Sequence, residues 1–352
     1  MLTGKKIILF GSGQYGRRAL NFFGPDKVYC FADNNKSGER LWDKNVISFD
    51  ELMKIKDNFD VVLTVNFSKA PALEEQCKAY SISYNFLGDL MSHNDFESIP
   101  EICLLENIHK EKRCFLIGNG PSLTVEDLTI LYEHSEISFA CNNIAKILIQ
   151  TPWRPTYYLF HDFMFLDHKQ DSIYTGADYN FFPKLNDVTV KNIAVFDDFL
   201  KQFSGKIFYY NSIPITPLHP IPRFSPNASK ALYLSSTVMY LMIQIVVYMG
   251  FSHIYLIGVD GTMSSLQNPS EYMSEKRHFY EEDIETIIKK RTYSTSLNSE
   301  DCYMLMTNAY QKADEYTRER GIKIYNATRG GKIEVFERVN FGSLFNAEAK
   351  RG

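Results

Sequence analysis

The sequence predicts an α/β protein of two Rossmann-like, doubly wound parallel-sheet domains, the second larger than the first and carrying lid insertions. Two observations predict it. Twice, a short apolar run passes directly into a glycine-containing turn and then into a helical pattern: Lys6–Phe10 before Gly11-Ser-Gly13-Gln-Tyr-Gly16, and Cys114–Ile117 before Gly118-Asn-Gly120-Pro-Ser122. After each, apolar strands alternate with helical stretches, and a chain of 352 residues is long for one core. The expected boundaries are a first domain over residues 1–90, a linker over 91–112 and a second domain over 113–346. The linker opens on turn-forming and polar positions (Ser92, His93, Asn94, Asp95, Ser98, Pro100) and then becomes charged.

In the first domain, Arg17 to Phe23 carries helical spacing and stops at Gly24-Pro25. A second strand, Val28–Ala32, then delivers Asp33, about 22 residues after Gly11. Strand, glycines, helix, strand and acid in this order form the dinucleotide-binding pattern. Gly11, Gly13 and Gly16 serve the tight turn and close approach, the helix start faces phosphate, and Asp33 is placed for a ribose. A docking module with an empty crevice is the alternative. Alternation continues through a strand at Val61–Val65, a helix over 70–80 and a strand at Ser83–Phe86.

In the second domain, Thr124 reads as the N-cap of a helix from Val125, with Glu126 and Asp127 in its first turn. The preceding loop offers Gly118, Asn119, Gly120, Pro121 and Ser122 at a strand end, without the G-K-[ST] lysine of a Walker loop. The construction recurs: strands end in Asn142-Asn143, in His161-Asp162, in Gly258-Val-Asp260-Gly-Thr262 and in Asn326-Ala-Thr328-Arg-Gly-Gly331. In an open parallel sheet the ligand crevice lies just beyond such carboxyl ends. Any single Asn or Asp there is an ordinary turn-former; their convergence is what predicts a polar pocket. Ser235-Ser236-Thr237, before an apolar helix over 238–249, reads as a phosphate seat or as a plain N-cap. A second helix, over 302–320, is amphipathic.

Two insertions read as lids or acceptor loops. One is punctuated by Pro214, Pro217, Pro220, Pro222 and Pro226; the other runs over 263–299 and carries His278-Phe279-Tyr280 beside Glu281, Glu282 and Asp283. His278 is a general-base candidate with neighbouring acids, or else a surface histidine.

Composition narrows the field. Hydrophobic residues make up 45%, and 38 Lys+Arg against 42 Asp+Glu leave a net charge of −4. A weakly acidic chain whose longest basic cluster is as short as Lys289-Lys290-Arg291 lacks the footprint of a nucleic-acid binder. The six cysteines form no C-x-x-C pair and several sit in apolar runs, which fits a reducing cytoplasm rather than a disulfide framework. The apolar run Ile7–Phe10 is too short for a signal peptide. The helix over 238–249 contains Gln244 and falls short of the ~20 residues of a membrane span. The expectation is a cytoplasmic protein that is not transmembrane and is at most peripheral, with homo-oligomerisation left open.

Several strings resemble known families. Asp33-Asn-Asn-Lys-Ser-Gly38 with Val46-Ile-Ser-Phe-Asp-Glu51 resembles the N-terminal Rossmann-like domain of bacterial sugar O-acyltransferases, which implies a nucleotide-sugar rather than NAD. Phe115-Leu-Ile-Gly-Asn-Gly-Pro-Ser-Leu123, Trp153-Arg-Pro-Thr-Tyr-Tyr158, Ile254–Asp260, His278-Phe279 and Ile324–Phe336 resemble the bacterial proteins grouped with the archaeal 6-hydroxymethylpterin diphosphokinase-like domain. Gly118–Ser122, Cys141-Asn142 and Ser235–Thr237 are also similar to bacterial sialyltransferases and to flagellin-glycosylating motility accessory factors.

That similarity implies that Asn119, Ser122 and Asn142 contact a cytidine nucleotide. It places Ser236-Thr237 near the phosphate and makes His278 the base on an acceptor hydroxyl. Tyr272 and Tyr280 are put in the place of the sialyltransferase phosphate-binding tyrosines, which the spacing does not align. The favoured expectation is therefore a glycosyltransferase using a CMP-sugar of the nonulosonic-acid type, without metal or further cofactor. Its acceptor would be a glycan, a lipid-linked species or a protein, in polysaccharide or protein glycosylation. The alternatives are a Mg²⁺-dependent diphosphokinase using ATP on a pterin-like alcohol, with Asp162 and Asp260 on the metal, and a non-catalytic nucleotide-sugar-binding protein.

Overall fold

The computed structural model describes residues 2–65, 69–161, 175–184, 199–201, 203–215, 222–262, 276–281 and 299–346. The chain divides into two compact units. The first is Met1–Asp95 with Lys184–Thr189 and Ile213–Pro220; the second is Phe96–Pro183, Val190–Ser212 and Ile221–Gly352.

The first unit follows β1 (Ile7–Phe10), α1 (Gln14–Phe23), β2 (Val28–Ala32), β3 (Arg40–Leu41), β4 (Lys44–Ile47), α2 (Phe49–Ile55), β5 (Asp60–Leu63), α3 (Ala70–Ala79), β6 (Tyr84–Phe86) and a short α4 (Leu87–Leu90). Its sheet has the order β3-β4-β2-β1-β5-β6, parallel throughout except for the β3–β4 hairpin. The hairpin turns through Trp42 and Asp43, both at positive φ (47° and 62°), as a two-residue turn compatible with strand twist requires. Ser48 starts α2 with a reciprocal capping box to Glu51. β1 and β5 are buried along their whole length because helices cover both faces.

The chain from Phe96 onward adds a short α5 (Pro100–Cys103), β7 (Arg113–Ile117), α6 (Val125–Glu133), β8 (Ser138–Cys141), a 3₁₀ stretch at Asn142–Gln150, β9 (Tyr157–Leu159), β10 (Tyr179–Pro183), β11 (Lys206–Tyr210), β12 (Ser212–Ile213), β13 (Leu232–Tyr233), α7 (Met239–Tyr248), β14 (His253–Ile257), α8 (Ser299–Arg318), β15 (Lys323–Asn326) and β16 (Glu337–Arg338). Eight of these strands form one sheet in the order β11-β10-β9-β8-β7-β14-β15-β16, every pair parallel. The chain lays down β7 to β11 in one direction and returns to place β14 on the other side of β7. That reversal makes the β7/β14 carboxyl edge the switch point where an open α/β sheet leaves a crevice.

Register-matched aromatic pairs bind the strands. Phe139 stacks on Tyr157 (4.3 Å) and Tyr157 on Tyr179 (4.9 Å), while Phe115 stacks on Tyr255 and Tyr255 on Tyr325, both at 5.2 Å.

Residues 96–112, within the 91–112 stretch read as linker, hydrogen-bond along the second unit. Ile99 N donates to Ser229 O (2.8 Å), Asn107 N to Tyr248 O (3.1 Å) and His109 N to Met249 O (2.9 Å). The His109 ring packs on Phe251 at 4.6 Å and shares a 2.6 Å hydrogen bond through Nε2 with the Tyr157 hydroxyl. Its Nδ1 is buried without a partner, so an imidazolium there would hold a charged N–H with no acceptor. Burial first, and Lys112 second, push the His109 pKa below the ordinary 6.5. A depressed histidine contributes stability that is present above its unfolded pKa and is lost as pH falls through the folded one. The melting temperature is therefore expected to drop as pH is lowered below 6.5, and less steeply in His109→Gln. Parallel profiles for the two proteins would show that another group sets the dependence.

Candidate functional site

At the switch point the loop after β7 threads against the loop after β14. Gly120 N donates to Gly258 O (2.8 Å). A Cβ built on Gly118 would lie 2.3 Å from Gly258 O, and one on Gly120 would lie 1.8 Å from Asp260 Oδ2. These positions need glycine because backbone and carboxylate occupy the space. Ser122 completes the contact: its Oγ donates to Asp260 Oδ2 at 2.8 Å and its N–H reaches the same oxygen at 3.4 Å. Burial raises the Asp260 carboxyl above the ordinary aspartate range, and the Ser122 bonds pull it part of the way back.

Pro121 and Ser122 lead into the N-cap of α6. There Thr124 and Asp127 form a capping box, and Arg329, from the loop after β15, grips the buried Asp127 with both terminal nitrogens. Asp127 is legible in the sequence only as a favourable first-turn acid. Its arginine lies 202 residues away, with no local signal to pair them.

The other wall comes from β8. Asn119 Nδ2 donates to Cys141 O (3.1 Å), and Asn119 O accepts from Phe279 N (3.1 Å). Asn142 sits at φ +46°, a conformation asparagine tolerates. It accepts from the Tyr158 hydroxyl at its carbonyl (2.8 Å) and from His161 N at Oδ1 (3.3 Å). Asn143 Nδ2 donates to the Tyr280 hydroxyl (2.9 Å). The His278 ring stacks on Tyr280 at 4.8 Å with 5° between planes, and Lys146 Nζ lies 4.3 Å from the Tyr280 ring centroid. Asn119, Ser122, Asn143, His278 and Asp260 are thus brought to one sheet edge, anchored on the two sides of the same five-residue loop. Asp162 and Tyr272 lie outside the described residues.

Other predicted site residues face backbone. Asn326 Nδ2 donates to Ile333 O (2.8 Å) and its Oδ1 accepts from Thr328 N (3.0 Å). Thr328 Oγ1 accepts from Val259 N (3.1 Å) and donates to Leu256 O (3.4 Å). Both are buried, and they knit the loop after β15 to β14 instead of presenting polar atoms to a ligand. Arg338 holds the same loop from outside, donating to the carbonyls of Thr328, Gly330, Gly331 and Ile333. The hydroxyls of Ser235 and Ser236, at the expected phosphate seat, donate to Leu305 O (3.4 Å) and Cys302 O (3.1 Å) on α8. Thr237 Oγ1 accepts from Met239 N (3.3 Å) at the start of α7.

In the first unit, Gly11 adopts φ +115°, and a Cβ there would meet Thr64 O at 2.6 Å; a Cβ on Gly16 would meet Gly11 O at 2.3 Å, while Gly13 faces open space. Asp33 is engaged within the protein. It accepts from Ser12 N (2.9 Å), Ser12 Oγ (2.7 Å) and Asn35 N (2.9 Å). Burial alone would raise its carboxyl, but these bonds hold it below the ordinary value. Asp33 therefore braces the glycine loop through the Ser12 amide and hydroxyl.

Among the described residues no three His, Cys, Asp or Glu side chains group as a metal site, and no helix is long and apolar enough to cross a membrane. No curated protein matches the sequence. Among solved structures, the MAf glycosyltransferase from Magnetospirillum magneticum AMB-1 is similar at 14% identity and a TM-score of 0.39, over 98% of this chain. The chain spans 60% of the length of that protein. The sequence profile of the family described as 6-hydroxymethylpterin diphosphokinase MptE-like matches residues 89–265, half of the chain, a stretch that runs from before β7 through Asp260. By that match the chain belongs to the 6-hydroxymethylpterin diphosphokinase MptE-like family.

Proposed function

We propose that the second unit is a metal-independent transferase that binds a nucleotide-activated donor, a CMP-sugar of the nonulosonic-acid type, and passes the sugar to a hydroxyl of a glycan, lipid-linked or protein acceptor. The observation that carries this reading is the Gly118–Ser122 loop, clasped by Asp260 on one side and by the His278–Tyr280 segment on the other. A glycine loop at a switch point lets backbone approach a nucleotide, and the clasp brings a histidine to the same edge. In this reading His278 takes the proton of the acceptor hydroxyl, Asn119 and Asn143 fix the segment that carries it, and Asp260 positions Ser122. Asn119 Oδ1, buried and without a partner, is an acceptor that a base amino group would satisfy.

The family description favours a second reading, an ATP-dependent diphosphokinase. That chemistry requires Mg²⁺ on ionised carboxylates. Asp260 Oδ2 is already taken by both Ser122 donors, and Asp162, the second carboxylate of that reading, lies outside the described residues.

Thermal-shift titration with CMP, CDP, UDP, ATP and NAD, each with and without Mg²⁺, separates the readings. Stabilisation by CMP that does not depend on Mg²⁺ supports the first, and stabilisation by ATP only with Mg²⁺ would replace it with the second. His278→Ala should lower turnover by about 100-fold or more while leaving the CMP-induced shift intact. Unchanged turnover would remove His278 from the mechanism.

A further inference from the structure

We infer that Lys146 is the cationic contact for the donor's phosphate, an inference that rests on the nucleotide-donor reading. Lys146 lies on the 3₁₀ stretch that leaves the carboxyl end of β8, four residues after Asn142, at the edge where the site is built. Its Nζ sits over the Tyr280 ring at 4.3 Å, and that ring is fixed by the Asn143 amide at 2.9 Å and by the stacked His278. An aromatic face holds an ammonium in place while leaving its charge in force. Among the described residues no carboxylate pairs with Lys146, although Glu281 follows Tyr280 in the chain. The ammonium therefore keeps donors and charge for an anion.

The other phosphate seat suggested by the sequence, Ser235–Thr237, has spent the hydroxyls of Ser235 and Ser236 on α8 carbonyls. A cation at the β8 edge would neutralise charge developing on a departing phosphate, the task that a Walker lysine or a metal performs elsewhere. Tyr280 then serves as the platform for the contact, and Lys146 makes it.

The test compares nucleotide with nucleoside on the full chain, using calorimetric titration of CMP and cytidine into wild type, Lys146→Met and Lys146→Arg. In Lys146→Met, CMP affinity should fall at least about tenfold with cytidine affinity held within about twofold, and Lys146→Arg should retain most of the CMP affinity. Equal CMP binding by Lys146→Met and wild type would overturn the inference and leave the nucleotide reading standing. Parallel loss of CMP and cytidine would assign Lys146 a structural role and overturn it as well. If wild type binds CMP no better than cytidine, the nucleotide-donor reading itself fails.

Discussion

Gln244→Leu is expected to destabilise the second unit by about 4 kcal/mol, although the two side chains are close in volume and the position is fully buried. In the middle of α7, Gln244 Oε1 accepts from Ser225 N (3.1 Å) and Tyr233 N (3.0 Å), and its Nε2 donates to Tyr233 O (2.9 Å) and Tyr240 O (3.0 Å). Leucine would leave the Ser225 and Tyr233 groups buried without partners, each costing about 1–3 kcal/mol, while the gain from a more apolar side chain in a filled site is small. The same glutamine pins residues 225–233 of the proline-punctuated segment to α7. Asn211 Nδ2 adds a bond to Lys230 O (2.7 Å), and the Tyr240 hydroxyl one to Arg223 O (3.1 Å). Urea unfolding of the full chain, followed by tryptophan fluorescence, reports the loss because Trp153 is buried in this unit. A change below about 1 kcal/mol would show that the four bonds contribute little over a leucine core.

Much of the architecture was legible because buried parallel strands are continuous apolar runs and because each glycine loop follows one directly. β1, β2, β7, β8 and β14 fall within a residue or so of their expected places, and Thr124 caps α6 as expected. β10 and β11 were not foreseen. Tyr179–Pro183 and Lys206–Tyr210 are short aromatic runs, and they are strands because neighbouring rows stack in register, as Phe181 does on Phe208 at 5.1 Å. The β3–β4 hairpin was hidden because Trp42-Asp43 lacks the Asn-Gly or Asp-Gly signature of its turn type.

At the site, the sequence told which polar residues stand at strand ends but not which way they turn. Asn143 faces the His278 segment, whereas Asn119, Asn326, Thr328, Ser235 and Ser236 satisfy backbone groups brought near by the fold. Side chain to backbone competition is settled by three-dimensional proximity, so residue type alone cannot sort them. Arg329 and Lys146 were missed because their partners, the Asp127 carboxylate and the Tyr280 ring, lie far away in the chain.

Gly120→Ala should cause the largest loss of function of any single methyl addition at the switch point. The new Cβ would sit 1.8 Å from Asp260 Oδ2 and 2.7 Å from Gly258 O. Neither neighbour yields easily. Moving the carboxylate breaks its bond to Ser122 Oγ, and Gly258, at φ +62°, is hemmed by Gly118 O and Leu123, which a Cβ there would meet at 2.9 and 3.0 Å. The two loops must part, carrying Asn119 and Ser122 out of register with Asp260.

Such overpacking costs about 1–3 kcal/mol of stability, and a displacement near 1 Å costs on the order of 100-fold in rate, so turnover should fall further than stability. Because the worst clash is with one carboxylate, Gly120→Ala should be less destabilising in an Asp260→Ala background than in wild type, a coupling a double-mutant cycle detects. The 2.7 Å contact with the Gly258 carbonyl persists there, so rescue of stability should be partial. Additive effects of the two substitutions, or a Gly120→Ala protein with undiminished turnover, would mean that the β7 and β14 loops do not have to close on each other for the site to work.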